Sequence, residues 1–448
     1  MSRVEDMSNR TSASRPIAVP SSRMSRLARL GTMATGIAGG MAIDGAKQWS
    51  QGRRPAMREL LLTPSNMSRL ADQLARMRGA AMKVGQLLSM DTGDFLPPEL
   101  ADILARLRAN ADYMPPKQLK SVLTAEWGSD WLKQFKSFDP RPIAAASIGQ
   151  VHRAKTRDGR DLAIKIQYPG VRRSIDSDVD NVAALIRVSG LIPEGMDVSP
   201  LLVEAKRQLH EEADYKREGG QLARFSELLA DAPEFQVPEL QPDLTTNSIL
   251  AMTFVEGIAI EDTVALTQTE RDRIMHLLIN LLFRELFDFR LMQTDPNFAN
   301  FRYNPETGRV VLLDFGASRP FGVDVAEKYD LLLRAGMSGN LDEVKLAGLR
   351  VGFYDEATAA HHQQAVAEMM DLAFEALRHE GAYDFTDGIL AARLREAGRT
   401  LGEDRTFVHL PPMDVLYLQR KFAGIYLLAS RLGARVHVRE IVERHLTA

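Results

Sequence analysis

The sequence predicts an α+β fold in two lobes, one carrying a small sheet and one mostly helical. Three observations carry this expectation. Residues 65–125 space their apolar side chains as helices do. Residues 135–168 change to the period of strands. From about residue 268 the chain is helical again, apart from one embedded hairpin.

The elements follow in order. Residues 1–60 form a basic segment with ten Lys and Arg against four Asp and Glu. Its first 23 residues, rich in Ser, Arg and Pro, are expected to be poorly ordered. The stretch from Leu30 to Ile43 is short and Gly-rich for a membrane span, but basic residues before a Gly/Ala/Met run suit a membrane interface as well as a surface helix. No cleavage pattern follows a long apolar run, which argues against a secretory signal. The Arg- and Ser-rich start is similar to an organellar presequence, with Glu5 and Asp6 against that reading. A helical extension is expected over 61–128, with Ser65 or Asn66 as a cap, prolines opening two later helices and Gly128 ending the last. Over 129–260, "SIGQVHRAKTRDGRDLAIKIQY" reads as strand, turn, strand with Asp158-Gly159 at the turn, and helices and two short strands follow. Residues 261–448 make the helical lobe.

Composition narrows the chemistry. The 448 residues contain no Cys, which excludes disulfides, thiolate metal sites and thiol nucleophiles. A net charge of -3 gives no reason to expect nucleic acid. Neither a His-Glu-x-x-His nor a Gly-x-Ser-x-Gly pattern is present, and His361-His362 lies in a polar helix that reads as surface.

The strongest signal is "QTDPNFANF" followed by "VVLLDFG". Asp295 and Asn300 are five apart, and Asp314-Phe315-Gly316 ends an apolar strand. Phosphoryl transfer needs divalent metal on the phosphate oxygens and a carboxylate to orient the nucleophile, and kinases place Asp, Asn and Asp-Phe-Gly in this order. Upstream, Lys165 ends "LAIK" on an expected strand, where a kinase lysine meets nucleotide phosphates. Before it, Ala144-Ala145-Ala146-Ser147-Ile148-Gly149-Gln150-Val151 stands where a Gly-rich phosphate loop belongs. Alanine occupies the first two glycine positions, at Ala144 and Ala146; its methyl restricts the backbone and keeps phosphate further off. The acidic partner for Lys165 is expected in "EEADYKREGG". On one straight helix Asp214 and Glu218 share a face and Glu212 points away. Glu218 is therefore read as the partner of Lys165, with Glu212 and Asp214 serving a second cation. Lys83, beside Gly85 and Gln86 inside an apolar helix, is the candidate for that cation.

Together these motifs resemble the UbiB/ADCK atypical kinases, and within them the branch linked to coenzyme Q biosynthesis. The resemblance runs from about residue 70 to 440 and rests on "KVGQ", "AAASIGQV", "AIKIQYPGV", "EADYKRE", "QTDPNFAN" and "LLDFG", with "LQRKFAGIYLL" similar to that family's C-terminal helices. It implies a protein-kinase-like fold whose helical N-terminal extension packs over the cleft. It implies ATP and Mg²⁺ as cofactors, with Lys165 and Glu218 paired, Asn300 and Asp314 on the metal, Asp295 as catalytic-loop aspartate, and Lys83, Gly85, Gln86, Glu212 and Asp214 in a regulatory closure. One departure from ordinary kinases stands out: Thr294 precedes Asp295 where they carry Arg. Only a short segment separates Gly316 from the next helix, so activation by loop phosphorylation is not expected.

Three functions fit. The first is an ATP-dependent accessory protein for coenzyme Q synthesis at a membrane surface, in contact with quinone-synthesis enzymes. The second is a kinase of a small lipid or isoprenoid. The third is a nucleotide-sensing scaffold with little turnover. The implied location is the cytoplasmic face of a bacterial inner membrane or the matrix side of a mitochondrion.

Overall fold

The computed structural model describes Leu74 and residues 77–91, 113–188, 199–404, 406–407 and 409–446. The basic segment at 1–60, its membrane-interface stretch and the helix expected after Pro97-Pro98 lie outside the described residues. The chain divides into two compact units, one of residues 1–85 and 97–193 and one of 86–96 and 194–448. No helix among the described residues is long and apolar enough to cross a membrane.

Helix α1 (Arg78–Asp91) runs across the boundary after Gly85, and α2 (Pro116–Trp127) belongs to the first unit. Proline at the first position of α2 costs no hydrogen bond, because that N–H has no helical partner. The helix stops at Gly128, whose φ of 84° suits glycine. An antiparallel sheet comes next: β1 (Phe135–Phe138), β2 (Ala144–Ala145), β3 (Gly149–Thr156) and β4 (Asp161–Gln167). β3 is central, bonded to β1, β2 and β4. The turn between β3 and β4 carries Gly159 at φ 100°, at the Asp-Gly position the sequence marked. Helix α3 (Val171–Val188) closes the described part of this unit.

A line of hydrogen bonds secures the middle of the sheet. The Met114 N–H donates to Gln150 Oε1 at 2.8 Å. The Gln150 amide then lies 2.7 Å from His152 Nε2, and His152 Nδ1 lies 2.8 Å from the Asp139 carbonyl. The directions are forced. A carbonyl accepts only, so His152 donates from Nδ1 and receives at Nε2, which requires a neutral ring. His152 is wholly buried. Burial lowers its pKa below the ordinary 6.5, against the pull of the Asp139 carbonyl. The unfolded chain therefore takes up a proton that the folded chain refuses. Stability is complete above the unfolded value and drains away as pH falls toward the lowered one. We expect the wild-type melting temperature to fall more between about pH 7.5 and about pH 5.5 than that of a His152→Gln variant; equal losses would contradict this role.

The second unit opens with α4 (Ser199–Glu212) and α5 (Tyr215–Leu228). Its short strands are β5 (Phe235–Gln236), β6 (Ile249–Thr253) and β7 (Ile258–Ala259). Helix α6 (Gln268–Phe283) starts at a reciprocal capping box of Thr267 and Glu270 and runs into a wide turn at Arg284–Phe289. That turn ends on Arg290 at φ 49°, the only non-glycine residue with positive φ among the described residues. Then come β8 (Leu291–Gln293), β9 (Phe301–Asn304), β10 (Arg309–Leu312) and β11 (Ser318–Pro320). The order β5-β10-β9-β7 forms one sheet, and β8 pairs with β11 in another. Helices α7 (Val323–Ser338), α8 (Leu341–Val351), α9 (Ala360–Ala373), α10 (Ile389–Glu403), α11 (Met413–Leu432) and α12 (Val438–His445) complete the unit. One surface expectation fails. His362 is buried within α9 and hydrogen-bonds the Asp404 carboxylate at 2.8 Å. A second His beside it, His361, stays exposed.

Candidate active site

The Asp-Phe-Gly turn and the Asp295 loop leave neighbouring strands and meet. Leu312 ends β10, which pairs with β9 from Leu312↔Phe301 to Arg309↔Asn304. The Leu313 N–H donates to the Asn300 carbonyl at 3.0 Å, so the two loops start from a shared ladder. Asn297 accepts from the Ala299 N–H and starts a single tight turn, Phe298–Asn300, which aims Asn300 back at the loop. There the Asn300 Nδ2 donates to the Asp295 carbonyl at 3.2 Å and to its Oδ2 at 3.1 Å. This use of Nδ2 leaves Oδ1 as the atom that can meet a hard cation. Asp314 accepts the Gly316 N–H on Oδ1 at 3.0 Å, which fixes its carboxylate. Phe315 is buried with its ring 4.8 Å from that of Phe225 on α5.

Glu218 lies in the first turn of α5 and is 2 % exposed. A Cβ added to Gly316 would stand 3.3 Å from both Glu218 Oε2 and Asp314 Oδ1, so glycine lets the two carboxylates approach the same point of backbone. The straight helix expected through this region does not form. Helix α4 ends at Glu212, and Asp214 caps α5 by accepting the Arg217 N–H at 3.1 Å. A short carboxylate that satisfies a free N–H offers the chain an alternative to continuing one helix. Asp214 and Glu218 stay one turn apart at the start of α5, where the Glu218 N–H donates to the Asp214 carbonyl at 3.0 Å, whereas Glu212 ends the preceding helix; the single straight helix is corrected. The signal was present: Asp followed by an acidic residue in the next turn is a helix start.

Sequence reasoning missed the cations of this unit. Arg217, next to Glu218, donates to the Gly316 and Ser318 carbonyls, each at 2.8 Å. From the other side the Thr294 hydroxyl donates to the Ala317 carbonyl at 2.8 Å. The segment after Asp-Phe-Gly is thus held along its backbone. Arg319 then reaches Glu204 on α4 at 2.8 Å and lies 4.2 Å above the Tyr417 ring on α11. Burial works to raise the Glu204 carboxyl, but bonds from Arg207, Tyr417 and Gln208 outweigh it and hold the group below its ordinary value. Helix α11 also brings Arg420 to Asp295 Oδ1 at 2.9 Å. Its neighbour Lys421 donates to the Gln293 carbonyl at 2.7 Å and side chain at 3.0 Å, and pairs with Glu285 at 3.4 Å. A lysine on the apolar face of a helix, flanked by Tyr417, Leu418, Gly424 and Ile425, was the available clue.

In the first unit, Ala144 pairs with Val151 and Ala145 with Gln150, and the Ala146 N–H donates to the Gly149 carbonyl at 2.8 Å. The alanine-rich stretch is therefore a tight hairpin, with Ser147 and Ile148 at its turn. Ile148 is buried, and the Gln150 side chain is spent on Met114 and His152. Lys165 lies on β4 directly opposite Val151 and is 8 % exposed. Lys83 is buried in α1 beside Gly85, and the Gln86 side chain lies outside the described residues.

An Asp–Asn loop laddered to an Asp-Phe-Gly turn, in a chain that also presents a hairpin and strand lysine, defines a protein-kinase-like protein. More narrowly, the chain belongs to the ABC1 atypical kinase-like (UbiB/ADCK) family, whose domain matches residues 106–347. It is 38% identical to the mitochondrial atypical kinase COQ8 of Saccharomyces cerevisiae over 94% of this chain and 84% of that one. It is also 38% identical to the mitochondrial atypical kinase COQ8B of Rattus norvegicus, over 96% of this chain and 81% of that one. Among solved structures, the Rv3197–erythromycin complex from Mycobacterium tuberculosis matches with a TM-score of 0.60 at 26% identity, covering 85% of this chain and 97% of that one.

Proposed function

We propose that this atypical kinase binds Mg-ATP and turns it over in support of ubiquinone biosynthesis at a membrane surface. The observation that carries the site assignment is the meeting of the Asp295–Asn300 loop with the turn that carries Asp314, through Leu313 to Asn300 and Thr294 to Ala317. Their donors fit Mg²⁺, which takes oxygen ligands: the Asp314 carboxylate and Asn300 Oδ1 are the two groups that would hold it. When bound, the metal neutralises phosphate oxygens. Asp295 orients the attacking water or hydroxyl and takes its proton, since its carboxylate is fixed by Asn300. Lys165 serves the phosphates, and Glu218 has the carboxylate role implied by the resemblance. The hairpin at Ala144–Val151 covers the nucleotide with backbone groups, stiffened by its alanines. Lys83, Gly85, Gln86, Glu212 and Asp214 belong to the closure that restrains peptide-directed activity. Support for the pathway comes from the names of the similar proteins, and support for the surface comes from the basic and Gly/Ala/Met-rich sequence before residue 50.

The test is phosphate release from ATP by the full chain, with and without vesicles of anionic phospholipid. We expect Mg-dependent release that rises on the vesicles. Transfer to an acceptor in a lipid extract would instead establish a lipid or isoprenoid kinase. Tight ATP binding without turnover would establish a nucleotide-sensing scaffold. Either result would displace the hydrolytic reading.

A further inference from the structure

Two cationic residues in succession on α11 face the loop that carries Asp295. Arg420 Nη2 stands 2.9 Å from Asp295 Oδ1, with side chains only 20% and 24% exposed. Asn300 holds the other oxygen, so the carboxylate is gripped on both sides. Lys421, itself 2 % exposed, donates to the carbonyl of Gln293, two residues before Asp295. Gly424, one turn on, lies so close to Pro296 that an added Cβ would fall 2.2 Å from the proline Cβ. Residues 420, 421 and 424 of one helix thus rest on residues 295, 293 and 296 of one loop. A surface ion pair has no such backing. Here the helix is seated by a buried lysine below and a glycine contact above, so the arginine has little freedom to let go.

We propose that Arg420 is the positioning residue for Asp295, supplied by α11 in a chain that carries no arginine beside that aspartate in its own loop. The assignment rests on reading Asp295 as the catalytic-loop aspartate. In this chain Thr294 occupies the neighbouring place, and its hydroxyl is committed to the Ala317 carbonyl. The cation therefore arrives from 125 residues downstream. Its effect is on the orientation of the carboxylate rather than on nucleotide affinity, because its ion pair is with Asp295 Oδ1 while Asn300 holds Oδ2. Helix α11 becomes part of the machinery: a change in its seating passes to Asp295 through the Arg420 ion pair.

The test compares the wild-type chain with Arg420→Ala and Arg420→Lys in Mg-ATP turnover, ATP affinity and amide hydrogen exchange over residues 293–300. Misplacing a reacting group by about 1 Å can cost roughly a hundredfold. We expect Arg420→Ala to lower kcat by about 10- to 100-fold with ATP affinity within about twofold, and added guanidinium or Arg420→Lys to restore part of the loss. Exchange over 293–300 should quicken in Arg420→Ala and stay near wild type in Arg420→Lys. Exchange needs no turnover, so the two readings separate. Quickened exchange in a chain that never turns ATP over removes the proposed function and leaves the positioning contact standing. Unchanged exchange, or a kcat loss that neither lysine nor guanidinium relieves, overturns the role of Arg420.

Discussion

Replacing Asp314 by Asn is expected to lower Mg-dependent ATP turnover by more than about a thousandfold while leaving the fold intact. Asparagine keeps the size of the side chain, and its carbonyl oxygen can still accept the Gly316 N–H that Asp314 Oδ1 accepts now. Phe315 would remain packed on Phe225, and the bonds of Arg217 to Gly316 and Ser318 would be untouched. What disappears is the negative charge that a doubly charged cation requires. Transferring a phosphoryl group depends almost entirely on positioning and charge neutralisation, so this loss falls on the reaction rather than on stability. Turnover within about tenfold of wild type at saturating Mg²⁺ would remove Asp314 from the metal site.

Lys421→Met should act in the opposite way, chiefly on stability. Lys421 and Glu285 are 2 % and 1 % exposed. Breaking a buried ion pair from one side typically costs about 3–5 kcal/mol, because the remaining charge has no compensation. Glu285 would keep only the Gln293 N–H at 3.3 Å. Its carboxyl is already raised above the ordinary range by burial, against the pull of Lys421; without the lysine it rises further. The sign of the pH dependence follows. The folded variant holds a proton that the unfolded chain releases above about pH 4.5, so its stability falls as pH climbs through neutrality. Denaturant unfolding of Lys421→Met should show a deficit that is smaller at about pH 5 than at about pH 8. Adding Glu285→Gln removes the stranded charge and should recover most of the loss. A variant as stable as wild type at both pH values would mean that the pair contributes nothing.

The residues proposed for the site were legible where their pattern is local. Asp295, Asn300 and Asp314 are read from spacing and from the apolar strand before Asp314; in the structure the Leu313 N–H bonds the Asn300 carbonyl, and the Asn300 side chain bonds Asp295. The strand–turn–strand of 149–167 announced itself through alternation and an Asp-Gly turn. The break at Ala213–Asp214 was harder. "EEADYKRE" contains no Pro or Gly, and its periodicity suits one helix; only the capping preference of Asp distinguishes two. Arg420 and Glu285 were invisible for another reason, and Lys421 showed only as a lysine on an apolar helix face. Each meets its partner across the fold, Arg420 at a separation of 125 residues, and no local pattern encodes such a contact. The same holds for Gln150, whose place in the loop motif suggested ligand contact although its amide is buried between Met114 and His152.

The assignment of a metal-dependent nucleotide site stands or falls on calorimetric titration of the full chain with ATP, in Mg²⁺ and again in excess chelator. One site per chain, occupied in Mg²⁺ and at least about tenfold weaker without it, is the expected result. No heat of binding, or equal affinity in both buffers, would contradict the assignment of Asn300 and Asp314 and with it the proposed reaction.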